Sequence, residues 1–344
     1  MATTLDFLTA PEFSDDRLTE VINIPDYKTG RPAQLGIFRD VPIATTYVRL
    51  GVSEDEVAII PSRERGGEHN ANMRGDKAQV MVSVPHFPLD DAIHPSDIQN
   101  IIGWGESAAY RMVGDVYNEK LLQMRAKHDA THHHLDWGAL RGKIVDAEGY
   151  EIADLYSLFG ITQTTTNIAL GTAGTDVMAG LRAVRTGIQR EMKGATYSGL
   201  RIFAGADWFN AYIGHASIKE ALKYYAAPGQ LNPARDDVLT VFSFGGVTVE
   251  LVDEEFAHRK ADGTFEMLPA VEADEAIAVP LGTPYFRRYI APPDSINLAN
   301  VAPSTKIFVA TNELPYGKGR EIHSESNILP ICTRPQIITK LTMS

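Results

Sequence analysis

Cysteine is nearly absent from this sequence, which has only Cys332 among its 344 residues. No disulfide can form within one chain, so the fold does not depend on an oxidising compartment. A lone cysteine is most often a small buried apolar residue, whereas a catalytic thiol needs exposure and a low pKa. We therefore expect Cys332 to be buried and without a catalytic role.

Long hydrophobic runs are also absent. The longest uncharged stretch, residues 155–175, is rich in threonine, glutamine, asparagine and glycine, which does not suit a membrane span. The first residues carry no basic segment and reach Asp6 and Pro11 early, unlike a secretory signal. The sequence thus predicts a protein that stays in the cytoplasm until release and does not enter a membrane.

Motifs of nucleotide-binding proteins and hydrolases are missing as well. The glycine pairs Gly66–Gly67 and Gly245–Gly246 lack the spacing of a phosphate loop, and there is no Walker A lysine. Neither a dinucleotide fingerprint nor a G-x-S-x-G elbow is present. The pair Glu254–Glu255 is expected to be a solvated edge rather than an acid/base dyad. These absences argue against an enzyme.

Basic residues are outnumbered by acidic ones, 32 to 44, which gives a net charge of -12. Affinity for nucleic acid comes mainly from lysine and arginine neutralising phosphates, so tight DNA binding is not expected. An acidic wall could still enclose DNA, because weak attraction lets the DNA slide past it during loading.

Two strand-like runs flank a polar segment early in the sequence. The first is TTYVRLGVSEDEVAIIPS, and the second is AQVMVSVPHF, in which Val80, Val82 and Val84 recur with a period of two. This predicts a β-hairpin with arms of about 15 residues, which would reach about 50 Å at about 3.3 Å per residue. We expect such a hairpin to lie on another subunit. An ordinary hairpin folded back on its own sheet is the alternative.

The segment between these runs, RERGGEHNANMRGDK, carries charges of both signs. It could be a solvated loop, or it could form salt bridges with a neighbouring subunit, where charge complementarity sets the register of the contact. We favour the second interpretation because of the length of the hairpin. The candidate intersubunit contacts are Arg63, Glu64, Arg65, Glu68, Arg74 and Lys77.

A long helix is predicted from Glu106 to Trp137, about 32 residues or about 48 Å at 1.5 Å per residue. Near its end, His128 and His132 are four residues apart and would share one face, as zinc ligands do. The segment HDATH has Asp129 where a metalloprotease helix has glutamate, and no third ligand is evident. We therefore expect a partly exposed last turn, in which protonated imidazoles face the negative end of the helix dipole.

The remaining sequence alternates short strands and helices, which indicates an α+β fold. Residues 1–40 lack a sustained period and are interpreted as an extended arm, with a short strand and a turn in VINIPDYKTGRP. KIVDAEGYEIADLY predicts a hairpin that turns at Asp146 to Gly149. ADWFNAYIGHASIKEALKYY predicts two helices that break near Gly214, and DVMAGLRAVRTGIQREMKG predicts a helix that stops near Gly194. The apolar stripe of that last helix is Val177, Leu181, Val184, Ile188 and Met192.

Five blocks follow one another from the end of the long helix to the last residues. They are MRAKHDATHHHLDWGALRGKIVDAEG, ADWFNAYIGHASIKEALKYY, FSFGGVTVELVDE, VPLGTPYFRRYIAPPDS and ESNILPICTRPQIITKLT. Each block alone has little specificity. Taken in this order, they resemble the lambda-type major capsid protein family of tailed bacteriophages, over a region from about Arg39 onward.

The resemblance implies the Hong Kong-97-type capsid fold. Its parts would be an N-terminal arm (1–40), an extended β-hairpin loop (41–87), a peripheral domain with a spine helix (88–160), an axial domain (161–295) and a C-terminal return to the peripheral domain (296–344).

The function implied by the resemblance is self-assembly, as pentamers and hexamers, into the icosahedral head shell of a virion. That shell encloses double-stranded DNA without sequence-specific binding. Separate scaffold/protease and portal proteins are the expected partners, and the sequence leaves open whether a decoration protein is added. The family implies no catalytic residue, no cofactor and no metal. The alternatives are an encapsulin-type compartment that houses a cargo enzyme and, from another class, a metal-dependent enzyme built on His128 and His132.

Overall fold

The computed structural model describes residues 14–24, 29–52, 78–98, 106–225, 240–260 and 263–344, which mix helices and strands as expected. The helices are α1 (Asp15–Asn23), α2 (Arg31–Gln34), α3 (Pro95–Ile98), α4 (Glu106–Arg141), α5 (Leu155–Phe159), α6 (Val177–Glu191), α7 (Ala206–Gly214) and α8 (Ala216–Tyr225).

The strands follow in the same order along the chain. They are β1 (Arg39–Pro42), β2 (Tyr47–Val52), β3 (Ala78–Ser83), β4 (Phe87–Ile93), β5 (Lys143–Val145), β6 (Glu151–Asp154), β7 (Thr164–Asn167), β8 (Gly199–Ala204), β9 (Val241–Phe244), β10 (Val247–Leu251), β11 (Glu255–Arg259), β12 (Phe265–Pro269), β13 (Glu275–Leu281), β14 (Phe286–Ile290), β15 (Phe308–Glu313), β16 (Arg320–Ser326), β17 (Ile328–Cys332) and β18 (Thr339–Thr342).

The chain divides into two compact units, and each unit is built from three separate stretches of sequence. The first unit comprises Met1–Val48, Val82–His133 and Arg288–Pro330. The second unit comprises Arg49–Met81, His134–Arg287 and Ile331–Ser344.

The first unit has its core on an antiparallel three-stranded sheet, in the order β15–β16–β4. Helix α1 lies along β15, where Thr19 Oγ1 donates to the carbonyl of Val309 (3.2 Å) and Asn23 Nδ2 donates to that of Ile307 (2.8 Å). Helix α4 contributes one buried face. The core side chains are Leu18, Ile22, Ile93, Tyr117, Leu121, Met124, Ile307, Val309 and Ile322.

The strand predicted in VINIPDYKTGRP is wrong, because the first three residues of that segment form the last turn of α1. Residues 25–28 lie outside the described residues, so the turn stays a prediction. Leu18 and Ile22 are four residues apart and both are buried, which is helical spacing. Asp15 and Asp16 occupy the first turn, where carboxylates interact favourably with the helix dipole. Packing of this apolar pair against β15 outweighs the strand-like composition of the segment.

Helix α4 begins at the predicted Glu106 but ends at Arg141, four residues beyond the predicted Trp137. Gly138 lies inside the helix, and a Cβ atom there would be only 3.0 Å from the carbonyl oxygen of Lys143. The glycine therefore allows the chain that leaves the helix to pass close to it. The chain turns at Gly142, which has a φ of 84°.

The second unit contains a mixed six-stranded sheet in the order β7–β18–β13–β8–β10–β9. The pairs β7–β18 and β8–β10 are parallel, and the other three pairs are antiparallel. Helix α6 buries its whole predicted stripe, with no member more than 3% exposed, and the chain after it turns at Gly194 with a φ of 91°. The amphipathic helix and its stop are thus confirmed.

The hairpin predicted in KIVDAEGYEIADLY is formed by β5 and β6. Gly149 N donates to the carbonyl of Asp146 (3.2 Å), and the Asp146 carboxylate accepts from the backbone N–H groups of Glu148 and Tyr150 (2.8 Å each). The break predicted near Gly214 is also confirmed, since α7 ends there and α8 begins at Ala216.

Candidate assembly site and a buried histidine cluster

The base of the predicted long hairpin is a two-stranded sheet of β2 and β3. Val84 N donates to the carbonyl of Thr46 (2.9 Å), and both Val82 and Val84 are buried. The strands and their alternation are therefore confirmed at the base. The six candidate contacts at the tip, Arg63, Glu64, Arg65, Glu68, Arg74 and Lys77, lie outside the described residues and stay predictions.

His128 and His132 share one face of α4 as predicted, with ring centroids 6.3 Å apart. Both rings contact serine hydroxyls of β16. The Nδ1 and Nε2 atoms of His128 lie 3.0 Å from Ser326 Oγ and 2.9 Å from Ser324 Oγ, and His132 Nε2 lies 3.0 Å from Ser326 Oγ. The two imidazoles and two hydroxyls form a polar network inside the first unit, and Ser324 Oγ also donates to the carbonyl of Leu89 (3.3 Å).

The prediction that this histidine pair is partly exposed and protonated is wrong. His128 is 3% exposed and His132 is 8% exposed. Burial, with a smaller contribution from the charge of His323, lowers the pKa of His128 to about 4. Burial, followed by the charge of Arg288, holds the pKa of His132 well below its usual value. Because α4 continues to Arg141, these residues do not lie in its last turn, and the dipole argument does not apply.

Within the part of the chain that the structure describes, the histidine pair has no companion metal ligands. Across the described ranges, no group of three histidine, cysteine, aspartate or glutamate residues is placed to hold a metal ion. Three of the four ring nitrogens in the pair already face serine hydroxyls. The geometry therefore favours a structural role for His128 and His132 over the metal-dependent alternative.

A charged group next to this network was not predicted from the sequence. Glu325 is 2% exposed, accepts a hydrogen bond from Asp294 N (2.6 Å) and lies 3.5 Å from His323 and 3.7 Å from His86. Burial opposes protonation of His323, but its contacts with Asp90 and then Glu325 raise its pKa overall. These residues come from distant parts of the chain, so no local pattern indicates the cluster.

Acidification is expected to destabilise the folded subunit through the buried pair. A histidine in the unfolded chain titrates near pH 6.5, whereas folded His128 stays neutral down to about 4. Between these values the unfolded state binds more protons. The free energy of unfolding should therefore fall as the pH falls, by up to about 1.4 kcal/mol per pH unit for each histidine.

Urea denaturation of the unassembled subunit from pH 7 to pH 4 measures this dependence. The double variant His128→Gln with His132→Gln should have a flatter profile between pH 6.5 and pH 4. The control is His94→Gln, at an exposed imidazole outside the cluster. An unchanged slope in the double variant would show that the pair does not cause the acid sensitivity.

The other candidate chemical groups are Cys332 and the pair Glu254–Glu255. Cys332 is fully buried in β17, as predicted, and burial raises the pKa of its thiol to about 12. Glu255 is exposed as expected for a solvated edge, but Glu254 is half-buried and accepts a hydrogen bond from Trp137 Nε1 (2.8 Å). None of the helices in the described stretches combines the length and apolar character needed to cross a membrane.

Comparisons with known proteins show which family the chain is similar to. The family "Phage major capsid protein E" matches residues 14–343 of the chain. The chain is 25% identical to the major capsid protein of Salmonella phage Felix O1 (isolate Felix O1-VT1), covering 95% of each chain. It is 28% identical to the major capsid protein of Pseudomonas phage KPP10, covering 96% of each.

A solved crystal structure shares the fold. It is of a protein described as the proposed capsid protein of a prophage in E. coli CFT073, with a TM-score of 0.55 and 11% identity over 96% of this chain and 99% of that one. At that identity the likeness concerns the fold alone, and the fold is the Hong Kong-97-type capsid fold expected from the sequence. Because the family match spans nearly all of the described residues, the chain belongs to the phage major capsid protein E family.

Proposed function

We propose that this chain assembles with copies of itself, as pentamers and hexamers, into the icosahedral shell that encloses the double-stranded DNA of a tailed phage. The match to the capsid family over residues 14–343 is the observation that carries the proposal. As a member of that family, the chain is a major capsid protein and a structural component of the virion. We further infer that it catalyses no reaction and that its shells assemble in the host cytoplasm.

Several described features suit a subunit that buries surface against its copies. Helix α4 has 36 residues, a rod of about 54 Å at 1.5 Å per residue. The antiparallel pair β11–β12 leaves Phe265 and Met267 on one face of the hairpin, 70% and 53% exposed. Large apolar side chains that share an exposed face are typical of contact surfaces.

The structural roles of the individual segments are part of the same proposal. Residues 1–40 would act as an arm and 41–87 as an extended loop, and residues 88–160 would form a peripheral domain. Residues 161–295 would form an axial domain, with a return to the peripheral domain at 296–344. Separate scaffold/protease and portal proteins would guide assembly, and a decoration protein could be added afterwards.

Expression of the chain with its scaffold, followed by negative-stain electron microscopy, tests the proposal. Closed icosahedral shells are the expected result, and particles from an infected host should contain DNA. A chain that stays monomeric with its assembly factors present would contradict the proposal. Shells that enclose a cargo enzyme and no DNA would instead support the encapsulin-type alternative, which the two curated phage relatives make less favoured.

Deletion of residues 63–77 should reduce shell yield and lower the thermal midpoint of any shells that form. The proposed reason is that the tip binds a neighbouring subunit. Loss of about 1.4 kcal/mol at one contact weakens association tenfold, and the contact recurs around the whole shell. Yield is measured by sedimentation and stability by differential scanning calorimetry.

A full-length variant separates the length of the loop from its charge. In it, Arg63, Glu64, Arg65, Glu68, Arg74 and Lys77 are all replaced by serine. We expect a smaller effect than for the deletion, because charge complementarity contributes more to register than to affinity. Shells of normal yield and stability from the deletion variant would refute the role of the loop.

A further inference from the structure

The second unit contains a cavity of about 280 Å³ beside the last residue of α4. Three basic side chains line it, those of Arg141, Lys143 and Lys340. Two carboxylates, Glu272 and Glu275, also reach it, and Val271 and Ile277 supply apolar wall. The cavity therefore combines positive charge with an apolar surface, as a site for an aliphatic carboxylate would.

The two lysines of this cavity already have partners. Lys340 Nζ is paired with Glu275, and Lys143 Nζ lies 2.8 Å from Glu151 Oε2. Each of these pairs is partly exposed, so each contributes little to stability. The lysines add positive potential but do not need a further ligand.

Arg141 differs from the lysines. Its Nε atom is buried and has no hydrogen-bond acceptor among the described residues, and its Nη1 atom makes only a long contact, 3.5 Å, with the carbonyl of Pro269. Glu272 attracts the guanidinium but is not among the ion pairs formed within the described part of the chain. Burial lowers the pKa of Arg141, and Glu272 offsets this only in part.

The Nε atom of this guanidinium is withdrawn from water without an acceptor, which is unfavourable because its lost hydration is not replaced. The planar guanidinium is also suited to a carboxylate, with which it forms two parallel hydrogen bonds. Arg141 is thus a strong donor in a cavity whose described residues supply no acceptor for its Nε atom.

We propose that this cavity receives an aspartate or glutamate side chain of a second copy of the chain, whose carboxylate pairs with Arg141 when the shell forms. The inference rests on the proposed shell function, in which every subunit is surrounded by copies. Charge complementarity supports this occupant, since the chain has 44 acidic residues and a net charge of -12. A nucleic-acid backbone fits less well, because it would bring a row of phosphates past Glu272 and Glu275, whereas a single carboxylate has to approach only Arg141.

The variant Arg141→Met tests the inference, since it keeps an extended side chain and removes the charge. In the unassembled subunit, the thermal midpoint of this variant should equal or exceed that of the wild type, because a buried N–H group without an acceptor is gone. Association into shells should be weaker by roughly tenfold or more, as expected when one partner of a buried charge pair is lost. The variant Arg141→Lys keeps the charge but not the planar donor group. Its association into shells should be weaker than that of the wild type and stronger than that of Arg141→Met.

The matched control is Arg190→Met, at an exposed arginine in the last turn of α6. It should assemble as the wild type does. If Arg141→Met instead destabilises the unassembled subunit as much as it weakens the shell, Arg141 has an internal structural role and the inference is overturned. If Arg141→Met assembles normally under conditions in which the wild type forms shells, only this inference fails. If the wild type forms no shells, the proposed function fails.

Two further measurements identify the occupant. The assembly defect should be the same in DNA-free shells, and a defect confined to DNA-filled particles would assign the cavity to phosphate and overturn the inference. An electron cryo-microscopy reconstruction of the wild-type shell should place a carboxylate from a neighbouring copy within 4 Å of the guanidinium. A cavity filled only by solvent in that reconstruction would overturn it as well.

Discussion

Replacing Gly319 with alanine should destabilise the unassembled subunit by roughly 3 kcal/mol or more. Gly319 has a φ of 130°, and a Cβ atom there would lie 2.0 Å from the backbone oxygen of Ile93. A strained backbone residue costs about 1–3 kcal/mol, and overpacking costs about 1–3 kcal/mol more. The clash would separate β16 from β4, because Arg320 and Ile93 are paired in that sheet.

The control for this substitution is Gly317→Ala, two residues earlier in the chain. Gly317 also has a positive φ, 64°, but nothing lies within 4 Å of the position that its Cβ would take. The expected loss is therefore only about 1 kcal/mol, from the left-handed backbone. Urea denaturation of the unassembled variants measures both effects, and equal losses would show that the close approach to Ile93 is unimportant.

Replacing Trp137 with alanine should lower the free energy of unfolding by about 3–5 kcal/mol, as is usual for a large buried aromatic residue. The side chain is 0% exposed. Its ring meets that of Phe203 edge-to-face, with centroids 5.1 Å apart, and its Nε1 donates to Glu254 (2.8 Å). The substitution removes apolar burial, an aromatic pair and a hydrogen bond to a half-buried carboxylate at once.

Trp137→Phe separates these contributions, because it keeps an aromatic ring near Phe203 and removes the N–H donor. We expect a loss of about 1–3 kcal/mol, the usual penalty when one partner of a buried hydrogen bond is deleted. Denaturation midpoints of both variants give the comparison. If the phenylalanine variant were as unstable as the alanine variant, the hydrogen bond to Glu254 would dominate, and burial of the ring would not.

Much of the secondary structure could be predicted because its signals are local. The stripe of α6 follows the helical period, and the β5–β6 turn has an aspartate and a glycine at the required positions. Helix α1 was mispredicted because its local signal is short: the helical spacing of Leu18 and Ile22 becomes a buried face only when β15, almost 300 residues later, lies against them.

The histidine cluster shows the same limit. Spacing along α4 correctly placed His128 and His132 on one face. Their burial depends on Ser324 and Ser326, which are nearly 200 residues away in sequence, so the sequence wrongly predicted an exposed, protonated pair. The cavity around Arg141 could not be predicted either, since Glu272 and Lys340 reach it from separate parts of the chain.

The order of strands in the six-stranded sheet restricts when this protein can finish folding. Strand β18 lies between β7 and β13, so residues 339–342 join two parts of the sheet that are made much earlier. Translation proceeds from the N-terminus, and pairings this distant in sequence are slow to form. The sheet cannot close while β18 is still being synthesised. A nascent chain that still lacks β18 therefore carries an incomplete sheet, in which β7 has no neighbouring strand and one edge of β13 is open.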